Sequence, residues 1–164
     1  MALTVNGLLY TWGHNRVGQL GYSNPYNNEF ILKVPKLVSD FEPFLIQDIS
    51  AGWGNSTVIY NKRLWICGRN DLYQIGIDKN ESLINERGHP YVNRFKNIEY
   101  FNDKNIKSIS SGGSQFVCID NDGNTYTWGC NISQTDENVI FPPILLGNTY
   151  KYSVLGTYGT FLFN

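Results

Sequence analysis

LLYTWGHNRVGQLG (residues 8–21) reads as an apolar strand that ends in Trp-Gly, crosses a polar turn and stops at Gly-Gln-Leu-Gly. Alone it is a strand and a turn; its weight comes from recurrence. LYTWGHNRVGQLG (9–21) aligns without gaps on LWICGRNDLYQIG (64–76), so that Leu9, Gly13, Asn15, Gln19 and Gly21 meet Leu64, Gly68, Asn70, Gln74 and Gly76. A third copy, TYTWGCNISQ (125–134), keeps Trp128, Gly129 and Asn131 and loses the Gly-Gln-Leu-Gly end. A second element repeats out of phase with the first: IQDISAGWGNSTVIY (46–60), IKSISSGGSQFVCID (106–120) and, more loosely, YKYSVLGTYGTFLFN (150–164), with Gly52, Gly112 and Gly156 in register. Between the two elements runs a variable loop ending in Pro35, in Pro90, or in Pro142 and Pro143. Self-similarity at such a spacing is the mark of a repeat architecture.

The unit reads as strand, Gly-containing turn, strand, short turn, strand ending in Trp-Gly, variable loop and Pro-led strand. NG (6–7) and NDG (121–123) are hairpin signals, because Asn and Gly tolerate positive φ; the second copy uses NKR (61–63). Equivalent positions lie roughly 44 to 61 residues apart, enough for four antiparallel strands, which make one propeller blade. The expected fold is all-β: a β-propeller of four-stranded antiparallel blades, about three of them, with repeats over roughly 1–60, 61–120 and 121–164. The best helical candidate is KNESLINERG (79–88), inside a variable loop.

Composition agrees. Eleven Tyr, nine Phe and four Trp favour strands, and sixteen Gly supply turns. Only 16% of residues are charged, which argues against disorder. A net charge of −1 sets up no global field towards nucleic acid or an anionic membrane. No apolar run approaches the length of a membrane span, and MALTVNGLLY lacks the basic start and apolar core of a secretion signal. Three Cys without metal spacing (67, 118, 130) read as buried reduced thiols of an intracellular protein, in cytoplasm or nucleus. The sequons at Asn55, Asn80 and Asn131 then read as chance.

The repeated residues carry shape. Trp12 and Trp128 are placed to fill the wedge between neighbouring blades, and the following Gly13, Gly68 and Gly129 allow a sharp exit. Gln19 and Gln74 can pin the loop by bonding backbone groups, with Gly21 and Gly76 closing it. Gly52 and Gly112 follow small residues, as crowding of innermost strands around a channel requires.

These motifs resemble those of the regulator of chromosome condensation repeat family, whose blades read loosely aGxxHtxaLtxdGxvytWGxNxxGQLGxG. YTWGHNRVGQLGY, SAGWGNSTVIY and SSGGSQFVCIDNDGNTYTWG match over nearly the whole chain outside loops 22–33 and 77–89. The usual His after Gly-x-x is Asn55, Gln115 and Gly159 here, and the Gly before Gln is Tyr73 in the second copy. The resemblance implies a β-propeller, typically of seven blades. Its members serve as exchange factors for small GTPases, as chromatin binders, or as adaptor propellers in enzyme complexes, including modification machinery.

A closed propeller needs at least about four blades. The chain starts at a second or third strand and ends at a first and second strand. An open arc exposes strand edges and an apolar flank, so we expect self-association or a longer parent chain. No catalytic group is expected. His14 and His89 are the only histidines, no nucleophile has a placeable triad partner, GRND (68–71) lacks the phosphate-loop Lys, and DKNESLINE (78–86) lacks calcium-loop order. Asp120 and Asp122 read as turn residues. We therefore expect no enzyme, no cofactor and no metal. The candidate binding residues are His14, Arg16, Arg69 and Asp71, at equivalent places in two copies, with Trp53 in a Gly-containing turn. The expected function is a protein-interaction propeller, adaptor or regulatory subunit, docking a protein partner such as a modification-enzyme subunit. The alternatives are a guanine-nucleotide exchange factor for a small GTPase and, against the near-neutral charge, chromatin binding.

Overall fold

The computed structural model describes residues 1–23, 30–77, 79–130, 139–148, 150–156 and 160–163. Asn131 and Gly159 therefore lie outside the described residues.

Four antiparallel sheets follow one another along the chain. The first holds β1 (Ala2–Leu3), β2 (Leu9–His14) and β3 (Ile31–Leu37) in that order. The second holds β4 (Ile46–Ala51), β5 (Asn55–Tyr60), β6 (Arg63–Arg69), β7 (Leu83–Ile84) and β8 (Pro90–Asn97), ordered β4-β5-β6-β8-β7. The third holds β9 (Ile106–Ser111), β10 (Gln115–Asp120), β11 (Thr125–Cys130) and β12 (Val139–Gly147), each beside the next. The fourth pairs β13 (Tyr152–Leu155) with β14 (Thr160–Phe163). The second and third sheets are thus whole blades. The first begins part-way through a blade, and the last holds only a blade's first two strands.

The repeated residues form these elements for local reasons. Asn61 and Lys62 both take positive φ, the primed turn that joins β5 to β6 without splaying them. Gly68 and Gly129 sit at φ +110° and +98°, where the register of β6 against β8 and of β11 against β12 slips. A Cβ on Gly68 would strike the Gly54 carbonyl, and one on Gly129 the Ser114 carbonyl, so only Gly fits.

Two expectations are corrected. KNESLINERG is not a helix. Lys79–Glu81 forms a single 3-10 turn, and Leu83–Ile84 pairs with Tyr91 and Pro90 to add a fifth strand to the second blade. The reason is a tight turn: Asn85 Oδ1 accepts the Arg87 and His89 amides, and Gly88 stands at φ +78°. That backbone is a hairpin's and ends any helix. Nor do all the prolines lead their strands. Pro90 does, but Pro35 lies inside β3, and Pro142 and Pro143 lie inside β12. In both strands the register slips across the prolines, between the partners of Thr11 and Gly13 and between those of Thr127 and Gly129. A bulge on an outer strand is where a missing N–H is tolerated.

The core lies between sheets. Leu9, Leu20, Val38, Val58, Cys67 and Phe95 pack the first sheet on the second. Ile59, Ile66, Ile75, Phe101, Phe116 and Trp128 pack the second on the third. The innermost strands are also stitched directly. Asp48 Oδ2 accepts the Ile109 amide at 3.0 Å, Ser50 Oγ accepts the Ser111 amide at 2.9 Å, and the Trp53 amide donates to the Gly112 carbonyl at 3.1 Å. A Cβ on Gly52 would run into that same carbonyl.

Candidate functional site

The Gly-Gln-Leu-Gly stretch is a clasp built twice with the same bonds. Asn15 Oδ1 accepts the Leu20 amide at 3.0 Å, and Asn70 Oδ1 accepts the Ile75 amide at 3.1 Å. Gln19 Oε1 accepts the Val17 amide at 3.1 Å, and Gln74 Oε1 accepts the Leu72 amide at 2.9 Å. Gly21 and Gly76 close the loops at φ +79° and +75°.

Each clasp then offers its Gln carbonyl to the next blade. Trp128 Nε1 donates to Gln74 O at 3.0 Å, and Ser56 Oγ donates to Gln19 O at 2.7 Å. The donor differs because the second copy carries Cys67 at the Trp position, and a neighbouring Ser supplies the proton instead. Trp128 is 0% exposed and fills its wedge as expected; Trp12, the same motif residue in the first copy, is 40% exposed. Trp12 belongs to the first sheet, whose flank away from the second has no neighbour among the described residues. A Cβ on Gly13 meets nothing within 4 Å for a reason within the sheet: β1 pairs only with Leu9 and Tyr10, so no strand lies where Gly54 and Ser114 crowd its counterparts.

Where the first clasp approaches the second blade, a cleft of about 440 Å3 opens. Its walls come from four segments: His14 to Gln19 of the first clasp, Trp53 and Gly54 of the β4–β5 turn, Arg69 at the end of β6, and Asn85 to His89 of the β7–β8 hairpin. The structure therefore brings together four residues read from the sequence, His14, Arg16, Trp53 and Arg69. Asp71 stands behind them. It takes Arg69 Nε at 2.7 Å and the Arg69 Nη2 donor, and Gln74 Nε2 donates to its other oxygen at 3.2 Å. Its carboxylate also lies 3.8 Å from His89 Nδ1.

Trp53 does not pack on the neighbouring blade. Its side chain is 74% exposed, with the Arg69 guanidinium 5.5 Å from the ring centre, a cation–π distance. The equivalent position in the third sheet is Gly113, so the blade itself needs no aromatic there. Arg16 lies over Phe30 at 5.1 Å and 3.1 Å from Glu86. Asn85, Glu86, Arg87 and His89 belong to the hairpin that stood as variable loop in the sequence. The Asn-to-Gly spacing at 85–88 was the available signal.

Other readings fall into place. Cys67 and Cys118 are buried thiols, and burial pushes both well above the ordinary thiol range. Asp120 accepts the Asp122 and Asn124 amides at 2.9 and 2.8 Å, as a turn residue does. Asn55 is buried, its amide donating to the Cys67 and Arg69 carbonyls, and offers no room for a glycan. Among the described residues no cluster of His, Cys, Asp and Glu could hold a metal ion, and no helix is long and apolar enough to cross a membrane.

Antiparallel blades joined by Gly-Gln-Leu-Gly clasps define a repeat β-propeller. Residues 6–59 match the model of the Regulator of chromosome condensation (RCC1) repeat, and the chain belongs to this family. It is 33% identical over 136 residues to a bifunctional serine/threonine-protein kinase/NEDD4-like E3 ubiquitin-protein ligase of Dictyostelium discoideum, matching 77% of this chain and 7% of that protein. It is 28% identical over 137 residues to the guanine nucleotide exchange factor SRM1 of Saccharomyces cerevisiae, 78% of this chain and 27% of SRM1. The crystal structure of Prp20p from Saccharomyces cerevisiae, described with its binding properties to Gsp1p and histones, superposes with a TM-score of 0.79. That match has 25% identity and covers 98% of this chain and 40% of Prp20p. The chain thus spans less than half of each of these relatives.

Proposed function

We propose that this chain is part of a β-propeller that serves as a protein-interaction module, an adaptor or regulatory subunit rather than a catalyst, docking a protein partner at the clasp-side cleft. One observation carries the reading: an exposed Trp53 under Arg69 in a cleft lined by further Arg and His, a composition typical of binding hot spots. The blade scaffold holds the donors rigidly, since both clasps are fixed by side chain-to-backbone bonds. The remaining blades come from a longer parent chain or a second copy, and the mass by light scattering at several concentrations separates the two.

The test is site-directed photocrosslinking. A benzophenone amino acid at position 53 is expected to capture a discrete protein. The same group at Val5, 98% exposed on a hairpin turn outside the cleft, serves as the control. Equal capture from both positions, or from neither, refutes the docking site.

A second reading is exchange on a small GTPase, favoured by the similarity to SRM1 and Prp20p. Such a protein acts by binding the nucleotide-free state better, with no covalent step. Nucleotide release from candidate GTPases would accelerate on adding the chain; no acceleration removes this reading. Histone association, a property in the Prp20p description, remains the third. Direct DNA contact is disfavoured by the net charge of −1.

A further inference from the structure

We propose that the cleft recognises an acidic peptide segment, carboxylates interleaved with an apolar residue, on the protein partner; this rests on the docking reading above. The argument begins with what the cleft can still bond. Its acceptors are used: Gln19 Oε1 holds the Val17 amide, Asn85 Oδ1 holds two amides, and the Asp71 carboxylate holds Arg69 and Gln74. Its donors are in surplus. Arg16 Nε, beside Glu86, and Asn85 Nδ2 are enclosed atoms without a hydrogen-bond acceptor, so the donors within a ligand's reach are those on the 30% of the Arg16 side chain left exposed and on Arg87. Arg87 is exposed and makes no ion pair among the described residues. Unmatched donors call for an acceptor-rich ligand.

Charge agrees. Three guanidiniums face two carboxylates, Asp71 and Glu86, so the cleft is positive on a chain of net charge −1. The ligand must also cover an indole. Trp53 lies open beside the guanidiniums, and an apolar side chain flanked by carboxylates satisfies both surfaces. Bases stacked on Trp53 would satisfy it too, but the evenly spaced phosphates of a strand need a track of uncompensated cations, whereas Arg16 and Arg69 each face a carboxylate and Arg87 remains to anchor a single carboxylate of a peptide.

The experiment is fluorescence anisotropy of the 164-residue chain with a fluorescein-labelled ten-residue peptide of glutamate pairs separated by phenylalanines. Binding is expected, weakening as salt rises, and absent when glutamine replaces glutamate. Arg87→Glu should lower affinity on the order of tenfold or more, and Trp53→Ala roughly three- to tenfold. Lys33→Glu, on exposed β3 away from the cleft, should change nothing. Both cleft positions are exposed, and circular dichroism of each variant confirms folding. A glutamine peptide that binds equally well and still depends on Trp53 refutes the acidic chemistry and leaves the docking site standing. So does failure of every peptide while position 53 still crosslinks a partner; failure of both ends both ideas. Tighter binding of oligothymidylate, or of a phosphoserine peptide by tenfold or more, overturns the proposal in favour of a phosphate ligand.

Discussion

Trp12 and Trp128 hold the same place in their repeats, and the structure assigns them opposite energetic weights. Trp128 is fully buried, stacked on Phe116 at 5.2 Å, tilted on Phe101 at 5.1 Å and bonded to the Gln74 carbonyl. Truncating a buried Trp costs about 3–5 kcal/mol, and the stranded Gln74 carbonyl places Trp128→Ala at the upper end, about 5 kcal/mol. With an m-value of about 2 kcal/mol/M in urea, the midpoint falls by about 2.5 M. That loss rivals the whole stability of many domains, so part of the chain unfolding in buffer is an equally acceptable outcome. Trp128→Phe keeps most of the packing and loses the bond, about 2 kcal/mol, or a midpoint shift of about 1 M. Trp12→Ala removes a ring 40% exposed on an uncovered flank and should cost under about 1 kcal/mol. The assay is urea unfolding followed by circular dichroism, at a concentration where light scattering reports a monomer. Equal costs for Trp12→Ala and Trp128→Ala would refute the reasoning, and so would a neutral Trp128→Phe.

Three further outcomes follow from the same packing. Gly129→Ala combines backbone strain with a clash against the Ser114 carbonyl, whereas Gly13→Ala meets only the strain; the expected costs are about 3 and about 1 kcal/mol, read from the same urea curves. Stability should fall in alkali: burial, then the Asp120 carboxylate, push Tyr126 up to about 12, so its contribution is complete below the ordinary tyrosine value near 10 and is lost as pH rises towards 12. The buried thiols Cys67 and Cys118 add a loss of the same sign from about pH 9, and a urea midpoint flat between pH 8 and 11.5 would contradict this. Finally, iodoacetamide should label neither Cys67 nor Cys118 in the time that saturates the urea-unfolded chain; mass mapping of a native adduct at either site would count against their burial.

The clasp was legible in sequence because its residues are dictated by short-range geometry. Gly68 and Gly129 have positive φ beside a carbonyl, and Asn15, Gln19 and their counterparts bond backbone a few residues away. Such constraints recur wherever the backbone recurs, so aligning copies finds them. What depends on neighbours was not legible. Nothing in LYTWG says that Trp12 faces an open flank while Trp128 is enclosed; that is decided by which sheet lies alongside. The cleft was half legible for a related reason. His14, Arg16 and Arg69 sit in repeated loops, whereas Asn85, Arg87 and His89 arrive on a hairpin within the variable loop, whose sequence does not recur between copies, so aligning the copies cannot find it. The prolines misled because an outer strand tolerates them at a bulge, which no composition signal marks.

The two seams between sheets are fastened unequally. The second and third sheets are joined at their inner strands, through Asp48 and Ser50, and again at the rim through Trp128. The first meets the second through packed side chains, the Ser56–Gln19 bond at the rim, and surface contacts of Asn93 with Ser23, Arg94 with Asp40 and Arg16 with Glu86, which solvent screening keeps weak. In a stack where each unit leans only on its neighbours, the less fastened seam opens first. Amide exchange should therefore be faster across β2 and β3 than across β5, β6 and β10. The cleft straddles that weaker seam, with Arg16 on one side and Arg69 on the other. A ligand held by both would act as a brace, slowing exchange in the first sheet as well as occupying the cleft.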